Sequence, residues 1–374
     1  MDPCLAQIPQ RTSRRCNLTV IKHAAEPVGR VVGPRIHISA FLDAAENHGG
    51  ARRSRQIAVE MREKGFEVIT RPCSHRAALA AILATPGSGI MALRLALPLL
   101  WLGWGLKGFV KAILYGGWLC ALVRERRPLE MGLELEPNLN IILGNMLVSL
   151  GVSFVAYPHN VEFMVPGQIL AFARTQAAGF AAEMRVYHNA REVIAISTFD
   201  QTVLRALGVQ KVSRLQYMPV PEDRIPLEVV RLARNGVQKS GFLILGSVVN
   251  PPTLQGVLRL FDMIRALPGQ RRFILAGYGT EALSDRAPPE VEVLGAVSAA
   301  DLATLMTQCE AMVIYQPPTS GMLTRLVEAG IAGIPAYVAG GYLQAAELAD
   351  SGIVRIDSLS ELPDPTQQVY GAQP

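Results

Sequence analysis

Short, continuous apolar runs alternate with stretches of helical period along most of this chain. The first block begins with the apolar run RIHISA (35–40) and a polar turn ending in His48, Gly49 and Gly50. A helical pattern over 51–64 stops at Gly65, and FEVIT (66–70) predicts the next strand, which makes a β-α-β unit. Beyond the apolar helical region at 77–123 come LEMGLELE (129–136), a predicted helix over 139–150 and the strand VSFVAYP (152–158). A helix over 168–187, the strand EVIAIS (192–197) and a helix over 198–208 follow. The proline-rich RLQYMPVPEDRIP (214–226) closes this block, and the charged stretch to Lys239 reads as a linker.

Alternation then starts afresh. Strands are predicted at GFLILGS (241–247), RRFILAG (271–277), VEVLGAV (291–297), AMVIYQ (311–316), PAYVAG (335–340) and IVRID (353–357). Helices are predicted at 252–267, 299–309, 321–332 and 343–350. Apolar strands that alternate with helices mean parallel sheets covered on both faces. Two such blocks in series place a cleft between them, facing the carboxyl ends of the strands. The boundaries expected are a tail (1–30), a first domain (31–220), a linker (221–240), a second domain (241–358) and a tail (359–374).

Composition narrows the partners. Half of the residues are hydrophobic and 18% are charged, which excludes a mostly disordered chain. A net charge of +5 suits an acidic partner, such as a nucleotide phosphate or an anionic lipid. No zinc-finger spacing, basic helix or aromatic RNA-binding signature supports nucleic acid. Five widely spaced cysteines without a CxxC pair read as reduced thiols, with no metal site and an intracellular setting. The charged, proline-bearing N-terminus lacks the apolar core of a signal peptide. Within 77–123 the longest uniformly apolar runs, 95–106 and 112–123, have 12 residues each. A spanning helix needs roughly 18. Trp101, Trp104 and Trp118 beside Lys107 and Lys111 suit peripheral contact of 95–123 with a membrane surface, and two buried core helices are the alternative.

Candidate chemistry concentrates in MVIYQPPTSGMLTRLVEAGIAGIP (312–335). A strand ends, a Thr-Ser-Gly turn follows and a helix is predicted to open at Gly321, so free N–H groups face an anion. Arg325 can add a charged fork to a diphosphate, and Glu328, three residues later, can accept both hydroxyls of a ribose. The alternative for these two is an i,i+3 surface pair. His159 ends an apolar strand and precedes Asn160, which suits hydrogen bonding or proton handling beside a reacting group, with a structural histidine as the alternative. Asp200, early in a predicted helix, reads as a charge that complements the helix dipole.

Taken with GlyGly (49–50), PHNVE (158–162), ISTFD (196–200), LGSVVNPP (245–252), LAGYG (275–279) and VEVLGAV (291–297), this run resembles the GT-B glycosyltransferases, specifically the family-4-like group. The resemblance covers about residues 34–357. It implies two Rossmann-like domains whose parallel sheets face a central cleft, and a retaining transfer of a hexosyl group from a nucleotide-diphosphate sugar. No cofactor is implied beyond that donor substrate. The backbone around Val297 would hold the nucleobase, Ser320, Gly321 and Met322 the diphosphate and sugar, and Glu328 the ribose. Gly49 and Gly50 would approach the phosphates from the other domain, and His159 would lie on the cleft floor opposite Ser320 and Arg325, with the donor sugar between it and them. Asn250 stands where many members carry basic residues for the diphosphate, a charge that Arg325, with Arg52 or Arg53, would supply. Glycans or lipid-linked saccharides are the implied acceptors, at the cytoplasmic face of the membrane.

The family-4-like group often carries a Glu-x7-Glu motif, and here its first position is Ser320. That change, with a chain ending soon after Asp357, motivates the alternative of a nucleotide-sugar-binding scaffold subunit. Epimerisation of a sugar nucleotide on the same fold is a third reading, without a cluster of acid and base residues to support it.

Overall fold

The computed structural model of the chain describes residues 33–42, 49–168, 170–269 and 271–363, so the expected tail 1–30 and His48 lie outside the described residues. The first lobe runs β1 (Arg35–Ser39), α1 (Gly49–Glu63), β2 (Glu67–Thr70), α2 (His75–Ala84), α3 (Ser88–Trp101), α4 (Leu106–Arg126) and β3 (Glu130–Leu135). It continues through α5 (Leu139–Leu150), β4 (Phe154–Pro158), α6 (Gln176–Asn189), β5 (Glu192–Ala195), α7 (Thr198–Ala206) and β6 (Val212–Arg214). The second runs α8 (Pro221–Ala233), β7 (Phe242–Leu245), α9 (Pro251–Arg265), β8 (Phe273–Ala276), β9 (Val291–Gly295) and α10 (Ala299–Gln308). It ends with β10 (Ala311–Tyr315), α11 (Thr324–Ile331), β11 (Ala336–Ala339) and β12 (Ile353–Arg355).

Each lobe holds a six-stranded sheet, in the orders β2-β1-β3-β4-β5-β6 and β12-β11-β10-β7-β8-β9. All strand pairs within them are parallel. The strands are apolar because helices cover both faces. Ile36, Leu133, Phe154, Leu243 and Val313 are each at most 1% exposed. Each such side chain contributes about 1.5–3 kcal/mol of hydrophobic stabilisation. The strand order reverses direction between β1 and β3 in the first sheet and between β7 and β10 in the second. Crevices at these switch points, outside the carboxyl ends of the strands, are where sheets of this kind bind ligands.

Three expectations need correction. The stretch 221–240 is no simple linker: Pro221 takes the first position of α8, where its missing N–H costs nothing, and α8 packs against α10 and α11. At its end, buried Arg234 donates to the carbonyl oxygens of Met306, Cys309 and Gly333 and fixes the segment to the second lobe. Helix α6 starts at Gln176, capped by Thr175, and not at 168. Finally, the chain stays packed past Asp357, with Leu359 and Leu362 buried in the second lobe.

The apolar region 77–123 forms three helices. Helix α4 is, by length and composition, long and apolar enough to cross a membrane, although no single apolar run within it exceeds 12 residues. Yet Ala112, Leu119 and Cys120 are fully buried in the first lobe's core, and Gly116 lies against Met146 of α5. Trp104 is buried and Trp118 is half-buried, so of the three tryptophans only Trp101, 93% exposed, stands at the surface. Cys73, Cys120 and Cys309 are free thiols.

Candidate functional site

At the switch point of the first lobe, β3 delivers Glu134 into a wholly buried position. A carboxylate there is tolerated only if it is fully hydrogen-bonded. His37 Nε2 lies 3.2 Å from one oxygen, and His159 Nε2 lies 3.1 Å from the other. The Ala40 N–H, at 3.1 Å, and the Ser54 hydroxyl donate to that second oxygen as well. Burial pushes the carboxyl's pKa up, but the bonds from His159 and His37 outweigh it and hold the pKa well below the ordinary carboxylate range. A charged carboxylate only accepts, so both Nε2 atoms must carry hydrogen. That leaves Nδ1 of a neutral His159 as an acceptor, without a protein hydrogen bond among the described residues. Sequence reasoning missed Glu134. Its signal was a carboxylate in the middle of an apolar strand.

The switch point of the second lobe is formed by β7, β10 and α11. Helix α11 opens at Thr324, three residues later than expected, and its N-cap, Leu323, has no side chain to accept from the first turn. Gly49, the first residue of α1, lies directly against Thr324: a Cβ on Gly49 would come within 2.9 Å of the Thr324 hydroxyl. Two positive helix ends therefore meet, and neither carries an acidic residue in its first turn. Arg325 is half-buried, donates to the Leu245 carbonyl at 2.8 Å, and lies beside Gly246 at the end of β7. Burial lowers its guanidinium pKa to about 10.

Glu328 does not face a wet cleft. It is 6% exposed, and both of its oxygens are engaged. One is paired with Arg52 of α1, the other accepts from the Tyr217 hydroxyl at 2.9 Å. Burial works against the Arg52 charge, but Glu328 outweighs it and raises the guanidinium pKa. Burial, then Glu328, push the Tyr217 phenol well up. The i,i+3 pair of Arg325 with Glu328 is replaced by these contacts to the first lobe and to Leu245.

Ser320 and Gly321, expected at a diphosphate, are tied instead to the first lobe. The Ser320 hydroxyl donates to Asp200 at 2.8 Å and accepts from the Val161 N–H, while the Gly321 N–H donates to Asp200 at 3.1 Å. Asp200 is thus a buried tie between the lobes and more than a charge on a helix dipole. Gly321 has φ +86°, and a Cβ there would fall 2.0 Å from Asn160 Oδ1 and 3.3 Å from the His159 carbonyl. This direct contact fills the space between His159 and the Ser320 turn where the sugar was expected. Met322 is buried, with its sulfur 3.7 Å from the Tyr342 hydroxyl. Asn250 is exposed at the start of α9, with its amide on Thr253 at 3.3 Å. Val297, after β9, is half-buried against the second lobe's core. The structure brings Gly49 to Thr324, Arg52 to Glu328 and His159 to the turn at Ser320. Gly50 belongs to the first turn of α1, whereas Asn250 and Val297 make no described contact with this group.

No family model matches the chain, and no curated protein matches it. Solved structures do. A sucrose-phosphate synthase from Thermosynechococcus elongatus aligns at TM-score 0.57 and 15% identity, covering 90% of this chain and 89% of its own. Anabaena HepE, in complex with UDP and glucose, aligns at TM-score 0.49 and 15% identity, covering 87% and 86%. A likeness over nine-tenths of the chain, with two parallel six-stranded sheets in series, gives this chain the GT-B fold.

Proposed function

We propose that the chain is a glycosyltransferase that moves a hexosyl group from a nucleotide-diphosphate sugar to a hydroxyl of a glycan or lipid-linked saccharide, with retention at the anomeric carbon. The observation that carries this reading is the meeting of the α1 and α11 N-termini at the seam between the lobes. Two like dipole ends and two arginines there favour a polyanion of the size of a diphosphate. The same groups would stabilise the leaving diphosphate as its charge develops. Val297 is assigned to the nucleobase and Glu328 to the ribose. The latter requires Glu328 to exchange its Arg52 and Tyr217 partners for hydroxyls. His159, held by Glu134, presents Nδ1 as an acceptor for a hydroxyl of the sugar, which requires the Gly321 turn to part from Asn160 and His159.

A membrane-side location is part of the proposal, at the cytoplasmic face. Between Glu67 and Glu125 the chain has no acidic residue, while it carries Arg71, Arg76, Arg94, Lys107, Lys111 and Arg124. Leu83, Ile90, Trp101 and Leu106 stand 61–93% exposed on the same helices. Apolar knobs among cations fit an anionic bilayer surface. This face extends upstream of 95–123, to Leu79 on α2.

Ser320 favours a second reading. Its hydroxyl is spent on Asp200 where the family-4-like pattern has a carboxylate, as suits a subunit that binds nucleotide-sugar without turnover. Thermal unfolding of the chain with UDP-, GDP-, ADP- and dTDP-sugars, followed by hydrolysis of any stabilising donor, tests both readings. At one hundred times its Kd the right donor adds about 2.7 kcal/mol of stability. Stabilisation with hydrolysis supports the transferase, stabilisation alone supports the scaffold, and no stabilisation by any donor defeats both.

A further inference from the structure

A cavity of about 610 Å3 opens in the first lobe between the chain that leaves β4 and the start of α6. Its lining mixes three chemistries. Phe163 and Phe180 pack edge to face at 4.7 Å, each more than a third exposed, and offer an aromatic edge. At the floor, Glu162 is 2% exposed. Its Oε1 takes a long bond from Asn160 at 3.4 Å, and its Oε2 has no protein partner among the described residues. Burial and neighbouring Glu183 raise the Glu162 pKa well above the ordinary range, which disfavours the charged form of this acid. The third element is cationic. Exposed Arg174 has no ion pair or side-chain hydrogen bond among the described residues, and it precedes the N-terminus of α6, whose first turn lacks an acidic residue.

The position of the cavity matters as much as its lining. Its wall is stitched to the loop between α3 and α4, with the Arg174 N–H on the Gly103 carbonyl at 2.9 Å and the Gly105 N–H on the Phe172 carbonyl at 2.8 Å. That loop lies between exposed Trp101 and Leu106. At the other end, Glu162 follows Val161, whose N–H bonds Ser320 of the second lobe. The cavity therefore bridges the apolar, acid-free face and the seam between the lobes.

We infer that this cavity seats the phosphate-bearing head group of a membrane lipid. The phosphate lies against Arg174 and the α6 N-terminus, and a hydroxylated ring lies along Phe163 and Phe180 toward Glu162. Calling that lipid the acceptor rests on the transferase reading; the binding does not.

The test is calorimetry on the full chain with dihexanoyl phosphatidic acid below its micelle concentration, dihexanoyl phosphatidylcholine and inorganic phosphate. The phosphatidic acid should bind at least tenfold tighter than either of the others. Arg174→Ala should weaken it tenfold or more, with the melting temperature unchanged, since the side chain is at the surface. Arg259→Ala, at an exposed position on α9 of the second lobe, should leave it unchanged. Equal binding of inorganic phosphate would reduce the site to an anion contact, and equal binding of phosphatidylcholine would reduce it to an apolar surface. Unchanged affinity in Arg174→Ala would place the lipid elsewhere. Any of the three overturns the inference. Donor binding, followed in parallel by thermal unfolding, keeps the two questions apart: lipid-phosphate binding without donor binding removes the transferase and leaves the cavity's assignment standing.

Discussion

Two buried carboxylates in the first lobe have pKa values shifted in opposite directions, and each shift has a measurable signature. Glu134 has its folded pKa depressed, so its stabilising contribution is complete above the ordinary value of 4.5 and is lost as the pH falls toward the folded pKa. Glu183 has the reverse sign: burial raises its pKa to about 7, even with the Tyr187 hydroxyl and the backbone N–H groups of Glu162 and Phe163 donating to it. Its contribution is complete below 4.5 and drains away as the pH rises through about 7. That window corresponds to about 3 kcal/mol. Urea unfolding at pH 5 and pH 8 should show the loss, and Glu183→Gln should flatten it. An unchanged slope would remove Glu183 as the cause. For His159, replacement by alanine should lower donor-sugar turnover by roughly 10²-fold and leave nucleotide affinity nearly unchanged. Glu134→Gln should reproduce that pattern, because an amide no longer dictates which imidazole nitrogen carries the proton. Full turnover in either variant would remove the role assigned here. Glu328→Ala, by contrast, strips a partner from half-buried Arg52 and from buried Tyr217 and should cost about 1–3 kcal/mol in thermal unfolding.

At the scale of elements, the meeting of α1 and α11 makes binding and stability move in opposite directions. Thr324→Asp would place a negative charge in the first turn of α11 and satisfy its dipole, adding about 0.3–1 kcal/mol of stability. The same charge would repel a diphosphate, so donor affinity should fall about tenfold or more. A variant that melts higher and binds donor as well as the parent would exclude this end of the helix from the site. Most elements were legible in the sequence, because apolar strands and helical periods change sharply at Gly and Pro; α5 spans Leu139–Leu150 as the pattern predicts. The failures have physical causes. Helix α8 was hidden by Pro221 and Pro226, which read as turn residues although one sits at the first helical position and the other inside an exposed helix. The start of α11 was misjudged because Ser320 and Gly321 resemble a capping turn, whereas their polar groups are used by Asp200. A contact between lobes leaves no trace in local periodicity. Asp200, Tyr217 and Arg52 could not be placed that way, while Glu134 could have been suspected from its apolar strand alone.

The whole molecule is held together across the seam by polar groups on both sides. Arg52 pairs with Glu328, Asp200 holds Ser320 and Gly321, and Glu347 accepts from the Thr198 N–H at 3.0 Å and pairs with Arg214 at 3.2 Å. Gly321 is where this seam is tightest. Gly321→Ala adds a methyl group 2.0 Å from Asn160 Oδ1 on a backbone of positive φ. It should cost about 1–3 kcal/mol and separate the lobes. Small-angle scattering should register a larger radius of gyration, and an unchanged radius with unchanged melting would mean that the contact is dispensable.

Among the described residues the chain crosses between the lobes at one place, between β6 and α8. Because Arg234 welds α8 to the carbonyl oxygens of the second lobe, any rotation of one lobe against the other must be absorbed upstream, at residues 215–220. That short run also carries Tyr217, whose hydroxyl is fastened to Glu328, and Gln216, whose carbonyl takes the Gln56 amide. The fulcrum and the latch are thus one piece of chain. Unfastening Glu328 therefore loosens the joint itself, while Asp200 and Glu347 still hold the lobes elsewhere along the seam.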